Sequence, residues 1–516
     1  MNISEKIEEL LKYCSVYQGH VNMMDERRVD ESFQVKLPEE EDILAHLDTL
    51  QFILLTGEAG DGKSRLIRAL REKLDQYGFC EPYMDFSAET EIAKEKILQR
   101  IAAIIEGKTN ERIIIAANVG IFTKCVLKYQ RSLMEKLSQQ NDRVKIINFE
   151  KRNLAQNRKV FKEIVQSFLA YDGNLCKNRT CQYCDICAFQ KNLDFLLSEK
   201  GMESVRVMCD AICLIGEHVT FRELLSLLAY MVTFGESCKN RRQEKSQDNY
   251  FVEYIFEQNN YSDKVLMNMG RMDPAFKNTK EKNVEYSSVE ECRRMKRRQF
   301  FYGQGNLYGI LAIDYLTEFQ QVIRFFQEKP FIDSAEIQSG ELYSLKRGLG
   351  KLTRRGQSDL AMKVVDTPVM LGDDIQTEFE LSNIDMIWHR YGLNFDNLDI
   401  QKHMPEEQNR FSISYVFQEK EGLDAITLVV DYRLFRYLML ADDYYYLSHS
   451  SKSLEEYRIN SFYQKILKKR KGAYEKMHVR FTGSKQKNFC DFSLSVQHIN
   501  HFLKGQDTVV KIRKEG

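Results

Sequence analysis

The residues with the clearest chemical meaning are Gly57 to Ser64, which form the segment GEAGDGKS. Two glycines separated by four residues, followed by Lys and Ser, match the pattern of a phosphate-binding loop. An apolar run at 52–55 precedes the segment, and a helical pattern at 65–70 follows it. This order predicts a buried strand, a loop and a helix, which is the context that the motif requires.

The residue types of this loop suit the binding of ATP. Glycines lack a Cβ and let the main chain approach a phosphate closely, and the start of the following helix attracts an anion. Lys63 is expected to reach the β- and γ-phosphates, and the Ser64 hydroxyl is expected to ligate Mg²⁺. The alternative is a glycine-rich turn that binds no ligand. The predicted nucleotide-binding residues are Gly57, Glu58, Ala59, Gly60, Asp61, Gly62, Lys63, Ser64 and Arg65.

Two polar residues at the ends of later predicted strands are candidates for catalysis. Asp85 follows Tyr83 and Met84 and is predicted to hold Mg²⁺ through water; the alternative is an ordinary acid at a strand end. No Glu follows Asp85 directly, so the catalytic base stays open, with Glu89 as one candidate. Asn118 could orient the water that attacks the γ-phosphate, or could simply begin a turn.

Two arginines could sense the γ-phosphate, either within the chain or across a subunit interface. Arg152 lies just after the last predicted strand of the nucleotide-binding region. Arg222 lies at the start of an apolar helix, directly after the helix-start signal at Thr220. For each of them the alternative is an arginine on the exposed surface.

A cluster of four cysteines falls within twelve residues, with the spacing C-x4-C-x2-C-x2-C. Four thiolates suit a closed tetrahedral Zn²⁺ site, which we favour as a structural element that orders a loop. An iron–sulfur cluster is the second interpretation, and a group of thiols without a metal is the third. The predicted ligands are Cys176, Cys181, Cys184 and Cys187.

Beyond the loop, short apolar runs alternate with helical patterns. Strands are predicted at 83–88, 112–118 and 144–149, with helices at 89–106 and 122–139 between them. Such alternation predicts a parallel sheet covered by helices, with ligands at the carboxyl ends of the strands. The expected fold is therefore an α/β P-loop NTPase of the AAA-like type.

Four regions are expected along the chain. An N-terminal helical segment, 1–50, precedes the P-loop NTPase core, 51–165. A helical lid with the cysteine cluster, 166–345, contains a charged linker or exposed loop at 236–249. A mixed α+β C-terminal domain, 346–516, completes the chain. Its strands are predicted at 412–417, 426–432, 478–481, 489–496 and 508–513.

Composition limits the classes of protein that the chain can belong to. The chain has 516 residues, of which 75 are Lys or Arg and 75 are Asp or Glu, so its formal net charge is zero. This balance excludes attraction of the whole protein to nucleic acid or an anionic membrane. Without a secretory signal or a bilayer-length apolar run, the sequence predicts a cytoplasmic protein with no membrane partner.

Two local basic runs, 293–298 and 465–476, leave contact with nucleic acid open. Basic side chains neutralise DNA or RNA phosphates, and aromatic side chains such as those of Phe300, Phe301 and Tyr302 can stack on bases. More often, however, such runs are the solvated face of a helix whose aromatic residues lie in the core.

Several further segments, in order along the chain, resemble one protein family. They are IAANVG (115–120), the cysteine cluster, HVTFREL (218–224), NYF (249–251), MDP (272–274) and RQFF (298–301). With the P-loop, they resemble the F subunit of bacterial phosphorothioation-dependent DNA restriction systems, the DptF or DndF family, over residues 45–305. The resemblance implies a P-loop ATPase in which Lys63 and Ser64 bind Mg-ATP and the cysteines form a structural element. It also implies partner subunits, including a second ATPase or a nuclease, in defence against unmodified foreign DNA.

Three hypotheses about function follow from the sequence. The leading one is an ATPase subunit that drives or switches a DNA-targeting defence complex, without cutting DNA itself, and that is able to oligomerise. The second is a nucleotide-gated scaffold that does not hydrolyse ATP, which the missing Glu after Asp85 favours. The third is a nucleic-acid-binding subunit in which ATP is secondary.

Overall fold

The structure of the protein, a computed structural model, divides by internal contacts into two units, Met1–Ile313 and Asp314–Gly516. The predicted division at residue 345 instead falls inside a helix, Gly340–Thr353. The described residues are 3–14, 35–138, 142–171, 187–238, 251–257, 264–277, 288–353, 364–365, 369–370, 375–381, 386–395, 409–419, 422–443, 454–469, 476–481, 489–501 and 505–515.

A three-stranded parallel sheet is the framework of the first unit. Its strands are β1 (Phe52–Thr56), β2 (Ile113–Ala117) and β3 (Val144–Asn148), in the order β2–β1–β3. Every residue of β1 and β2 is buried, which explains why both strands are continuous apolar runs rather than alternating ones. The strands predicted at these three places are therefore confirmed.

The strand predicted at 83–88 is wrong beyond Tyr83, which forms one parallel bridge with Ile115. The next residues turn, because the Asp85 carboxylate caps a 3₁₀ helix, Phe86–Ala88, through a hydrogen bond of 2.9 Å to the amide two residues ahead. An Asp side chain that bonds its own main chain in this way favours a turn over an extended strand. The chain still passes the carboxyl edge of the sheet here. Asp85 therefore lies at the edge where ligands of parallel sheets bind.

Helices between the strands contact the sheet, whereas the first helix of the chain packs against a later one, Phe221–Thr233. Apolar residues of Glu91–Ile105, Val119–Tyr129 and Ser132–Ser138 join β1 and β2 in one buried cluster. The single helix predicted at 122–139 is instead two helices, and the first begins early because the Asn118 side chain caps it. These helices are α1 (Ile3–Leu11), α2 (Pro38–Leu44), α3 (Lys63–Gln76), α4 (Glu91–Ile105), α5 (Val119–Tyr129) and α6 (Ser132–Ser138).

In the rest of the first unit, the described residues are mostly helical, as the sequence predicts. The helices are α7 (Arg158–Leu169), α8 (Ala188–Leu197), α9 (Glu199–Leu214), α10 (Phe221–Thr233), α11 (Phe251–Tyr254), α12 (Lys264–Arg271), α13 (Val289–Tyr302) and α14 (Leu307–Ile310). Helices α9 and α10 are buried around most of their surface. Helix α10 packs against α1, α7, α8 and α12. Most of the predicted linker, 239–249, lies outside the described residues.

The second unit combines helices with antiparallel strands. Its helices are α15 (Leu316–Glu328), α16 (Gly340–Thr353), α17 (Tyr432–Asp443) and α18 (Leu454–Lys469). Its strands are β4 (Phe331–Asp333), β5 (Val364–Val365), β6 (Val369–Met370), β7 (Ile375–Leu381), β8 (Ile387–Arg390), β9 (Phe411–Glu419), β10 (Gly422–Val430), β11 (Lys476–Phe481), β12 (Phe489–His501) and β13 (Gly505–Glu515). One sheet has the order β10–β9–β8–β4; a second has the order β13–β12–β11–β7–β5, with β6 also paired to β7.

Most strands predicted for this unit are confirmed. The predictions at 412–417, 478–481, 489–496 and 508–513 correspond to β9, β11, β12 and β13. The prediction at 426–432 is right only to Val430, because Tyr432 already begins α17. Strands β4 to β8 were not predicted. In the part of the chain that the structure describes, none of the helices has the length and apolar character to cross a bilayer.

A buried histidine lies in the four-stranded sheet of this unit. His389, on β8, contacts the Ser414 hydroxyl with Nε2 at 2.8 Å and the Arg390 carbonyl oxygen with Nδ1 at 2.7 Å. The Ser414 hydroxyl in turn contacts the Thr427 hydroxyl at 2.7 Å. Burial lowers the pKa of His389 to about 4, against the opposing effect of the hydrogen bond to Arg390. The imidazole is therefore neutral at physiological pH and is a hydrogen-bonded part of the core of the sheet.

Candidate phosphate-binding site

The loop between β1 and α3 has a main-chain shape that only glycine adopts easily. Gly57, Gly60 and Gly62 have φ angles of 147°, 98° and 89°, in the region that side chains disfavour. A Cβ on Gly57 would lie 2.5 Å from a carboxylate oxygen of Asp61, and one on Gly60 would lie 2.9 Å from the Arg222 Cβ. Gly62 then begins α3. The glycines therefore leave room for a curved main chain whose amides can face an anion.

Lys63 is folded over this loop. Its ammonium group donates to the carbonyl oxygens of Gly57 at 2.9 Å and Glu58 at 2.6 Å. Burial is the largest influence on the Lys63 amine and lowers its pKa, and the nearby Arg152 lowers it further. The carboxylates of Asp61, Asp85 and Glu150 act in the opposite direction. The side chain thus lies within reach of any phosphate that the loop binds.

Ser64 and Asp85 come together at the carboxyl edge of the sheet. The Ser64 hydroxyl contacts the carbonyl oxygen of Met84 at 3.5 Å, so it lies beside the residue that precedes Asp85. Asp85 is exposed, and one of its carboxylate oxygens caps the following turn. A hydroxyl and a carboxylate are oxygen ligands of the kind that Mg²⁺ prefers. The two predicted magnesium ligands are thus compatible with one site.

Asp61 is the most deeply buried polar residue of the loop, with 0 % of its surface exposed. One carboxylate oxygen accepts a hydrogen bond of 2.6 Å from the Glu58 amide. The other lies 2.7 Å from His218 Nε2. The sequence indicated Asp61 only as a loop residue, and neither the inward direction of its side chain nor its contact with His218 was foreseen.

Arg152 lies beneath the loop rather than on the exposed surface. It is 8 % exposed, donates to the Asp61 carbonyl oxygen at 2.6 Å, and stacks on Phe149 with 4.6 Å between guanidinium carbon and ring centre. Its Nη1 lies 3.6 Å from a Glu39 carboxylate oxygen. Within the described residues, its Nε and Nη1 have no hydrogen-bond acceptor. The surface alternative for Arg152 is therefore wrong, and its contacts support the loop from below.

Arg222 contacts the loop through its main chain. Its amide donates to the Gly60 carbonyl oxygen at 3.0 Å. Helix α10 begins here because Thr220 and Glu223 form a capping box, in which each side chain bonds the amide of the other residue. The start of α10 is thus one wall of the loop.

Glu150 is a residue of the site that the sequence did not single out. It follows β3, the neighbour of β1, and is half-buried. Burial raises the pKa of Glu150, and the carboxylates of Glu58 and Asp61 raise it further, whereas His218 and Lys63 lower it. The available signal was its position directly after a predicted strand, at the edge where ligands bind.

Asn118 lies at the end of β2, as predicted, and its side chain begins a helix. Its side-chain oxygen accepts hydrogen bonds from the amides of Gly120 at 3.0 Å and Ile121 at 3.2 Å. These contacts are the turn-forming role that the sequence left open beside catalysis. Arg65 of the predicted loop set donates to the Val35 carbonyl oxygen at 2.8 Å.

The cysteine cluster is described at one position only. Cys187 directly precedes α8 and is half-buried, and both it and Cys238 pack against the apolar cluster of Ile3, Ile7 and Phe189. The other three predicted ligands, at 176, 181 and 184, lie outside the described residues. Among the residues that are described, no group of three or more His, Cys, Asp or Glu side chains is arranged to hold a metal. The zinc site stays a prediction.

The basic run 293–298 lies on a helix of which Arg293, Arg294 and Arg298 are exposed and Arg297 is buried. Arg297 is 5 % exposed and pairs with Asp273 at 2.7 Å and Glu257 at 3.0 Å. Phe300 and Phe301 are fully buried. Base stacking by these two rings is therefore excluded, and the helix-face alternative describes this run better.

Around the glycines of the loop, the structure brings together the Lys63 amine, the Ser64 hydroxyl and two carboxylates. Asp85 is exposed and Glu150 is half-buried. No family model, curated protein or solved structure matches this chain. What the site does is therefore inferred from its own chemistry.

Proposed function

We propose that the protein binds Mg-ATP at the GEAGDGKS loop and hydrolyses it. The observation that supports this most directly is the loop itself: three glycines with positive φ, followed by Lys63 and Ser64 at the start of α3. In this proposal Lys63 exchanges the loop carbonyl oxygens for phosphate oxygens. Ser64 and Asp85 would hold Mg²⁺, which supplies charge neutralisation on the phosphates.

We assign the protein, in this proposal, to a bacterial anti-phage DNA restriction complex as its ATPase subunit. The support is the resemblance to the DptF or DndF family, together with contacts of the HVTFREL segment, where His218 and Arg222 touch the loop. ATP turnover would drive or switch the assembly, and a partner subunit would cut DNA. The partners would include a second ATPase or a nuclease, with DNA held by the complex and with oligomerisation of this subunit open.

We place this activity in the cytoplasm. Eight cysteines, at 14, 80, 125, 187, 209, 213, 238 and 292, are free thiols, which suits a reducing compartment. Within the run 293–298, Arg297 is not available for DNA because it is buried in ion pairs, whereas direct contact through the exposed Arg293, Arg294 and Arg298 stays open.

The decisive experiment compares ATP binding and hydrolysis by the unmodified chain and by Lys63→Ala, with and without duplex DNA. Loss of a charged hydrogen-bond donor predicts ATP binding weaker by about tenfold to a hundredfold, and hydrolysis should be lost. Lys73→Ala, an exposed lysine of the same helix, is the control and should behave like the unmodified chain. Equal binding by Lys63→Ala and the unmodified chain would contradict the proposal.

A nucleotide-gated scaffold that does not hydrolyse ATP is the second candidate. The observation that favours it is the environment of Asp85. This residue caps a turn just after the isolated bridge at Tyr83, and no Glu directly follows it in the sequence. Tight binding that depends on Lys63, without turnover in the presence or absence of DNA, would select this candidate. Turnover by the isolated chain would exclude it.

A further inference from the structure

A carboxylate is buried inside the loop where most of the neighbouring residues are small. Asp61 has no exposed surface, although a buried carboxylate is costly unless it is fully hydrogen-bonded. Its oxygens are satisfied by two groups from different parts of the chain: the Glu58 amide at 2.6 Å and His218 Nε2 at 2.7 Å. The second of these lies 157 residues away along the sequence. The loop is therefore not a self-contained turn.

The Asp61 carboxylate and Lys63 act on the same residue, Glu58. The carboxylate fixes the Glu58 amide from the inner side of the loop. The Lys63 amine contacts the Glu58 carbonyl oxygen at 2.6 Å from the outer side. A displacement of Asp61 would therefore change the orientation of the peptide units that Lys63 contacts.

His218 is not part of the capping box that starts the neighbouring helix. Thr220 and Glu223 already complete the capping box of α10. The imidazole instead lies against the loop, with its side chain 11 % exposed, and contacts the carboxylate directly. The pair thus connects the loop to a segment that has its own structural support.

We propose that Asp61 and His218 are positioning residues for the triphosphate of the nucleotide. The buried hydrogen bond between them fixes the orientation of the Glu58 peptide, and through it the shape of the loop that receives the phosphates. The inference rests on the proposed function, since it assigns these two residues to the same nucleotide site. In this role the two side chains act through the Glu58 peptide rather than on the nucleotide.

The test compares His218→Gln with His218→Asn. Both replace the ring by a neutral amide, but the Gln amide reaches the position of Nε2 and the shorter Asn amide does not. We expect His218→Gln to bind ATP with Mg²⁺ nearly as well as the unmodified chain. We expect His218→Asn to bind about tenfold to a hundredfold more weakly, because it leaves one oxygen of a buried carboxylate without its partner.

Two further measurements separate positioning from stability. Thermal unfolding without nucleotide should show that His218→Asn remains folded at the temperature of the binding assay. The double variant His218→Asn with Asp61→Leu should bind no more weakly than Asp61→Leu alone, since both changes remove the same contact. His46→Asn, at an exposed histidine, should leave ATP binding unchanged.

The outcomes distinguish this inference from the function on which it rests. An unmodified chain that does not bind ATP would overturn the proposed function and this inference together. An unmodified chain that binds ATP, with His218→Asn equal to it, would overturn the positioning role alone. Additive losses in the double variant would also contradict a shared contact.

Discussion

Two carboxylates beside the loop differ in their surroundings, and the difference suggests different roles. Asp85 is exposed at the start of a turn, which suits a metal ligand with access to water. Glu150 is half-buried, and burial together with neighbouring acids raises its pKa. A carboxylate with a raised pKa accepts a proton more readily than an ordinary one. Glu150 is therefore a stronger candidate for the catalytic base than Glu89.

At this residue, Glu150→Gln is expected to reduce kcat for ATP hydrolysis by about a hundredfold to ten-thousandfold, the usual range for a general base. KM should change little, because the amide keeps the shape of the side chain. Steady-state kinetics measure both constants. Glu89→Gln is the matched control; a large loss of kcat in that variant, with normal turnover by Glu150→Gln, would reverse the assignment.

The sequence predicted the strand, the loop and the helix around GEAGDGKS at the correct places, because the pattern is local. It did not predict the environment of Asp61 or Arg152, since each depends on distant partners. Asp61 contacts His218, and Arg152 lies under the loop beside Glu39. No spacing along the chain reports such contacts.

Among the elements, the start of α10 contacts the loop directly. Thr220 caps this helix, and Arg222 in its first turn bonds the loop at Gly60. The same element therefore contributes to the stability of the fold and to the shape of the loop. Variants of the cap can separate these two contributions.

Thr220→Ala is expected to lower the free energy of unfolding by about 1 kcal/mol, the usual cost of losing a helix cap. It should also weaken ATP binding, because the cap sets the position of the amide that bonds Gly60. Thr90→Ala removes an equivalent cap from α4 and should cost similar stability without affecting ATP. Urea unfolding and ATP titration check both variants. Equal ATP affinities in the two variants would show that α10 does not shape the loop.

Strands with continuous apolar sequence were predicted well, and strands that depend on distant pairing were not. β1 and β2 are fully buried, so their composition alone identifies them. β7 was missed, although it pairs with β11 through contacts such as Glu378 opposite His478. Its alternating polar residues resemble those of a loop until the partner strand is known. The predicted strand at 83–88 failed for the opposite reason, since the cap at Asp85 is a local interaction that overrides a short apolar run.

At the scale of the whole molecule, the stability of the second unit is expected to depend on pH. The second unit contains His389, whose folded-state pKa is about 4 compared with 6.5 for an ordinary histidine. Below pH 6.5 the unfolded chain takes up a proton that the folded unit does not. The contribution to stability is therefore complete above pH 6.5 and is lost as the pH falls towards 4.

The expected loss between pH 7 and pH 4 is about 3 kcal/mol, from a pKa difference between 6.5 and about 4. Trp388, the one tryptophan of the chain, is fully buried next to His389, so its fluorescence reports unfolding of the second unit. Urea titrations at several pH values measure the change. His389→Gln should remove most of this pH dependence. If the free energy of unfolding of that variant falls with pH as steeply as that of the unmodified chain, the acid sensitivity belongs to other groups.

The contact between Asp61 and His218 also has a consequence for biogenesis. During translation, the ribosome must add 157 residues after Asp61 before His218 exists. At ordinary elongation rates this takes on the order of 10 to 30 s. Throughout that interval the nascent chain has the complete eight-residue motif but lacks the residue that orients it. The ability to take up nucleotide should therefore arise late in synthesis, after most of the first unit has left the ribosome, and not when the motif itself emerges.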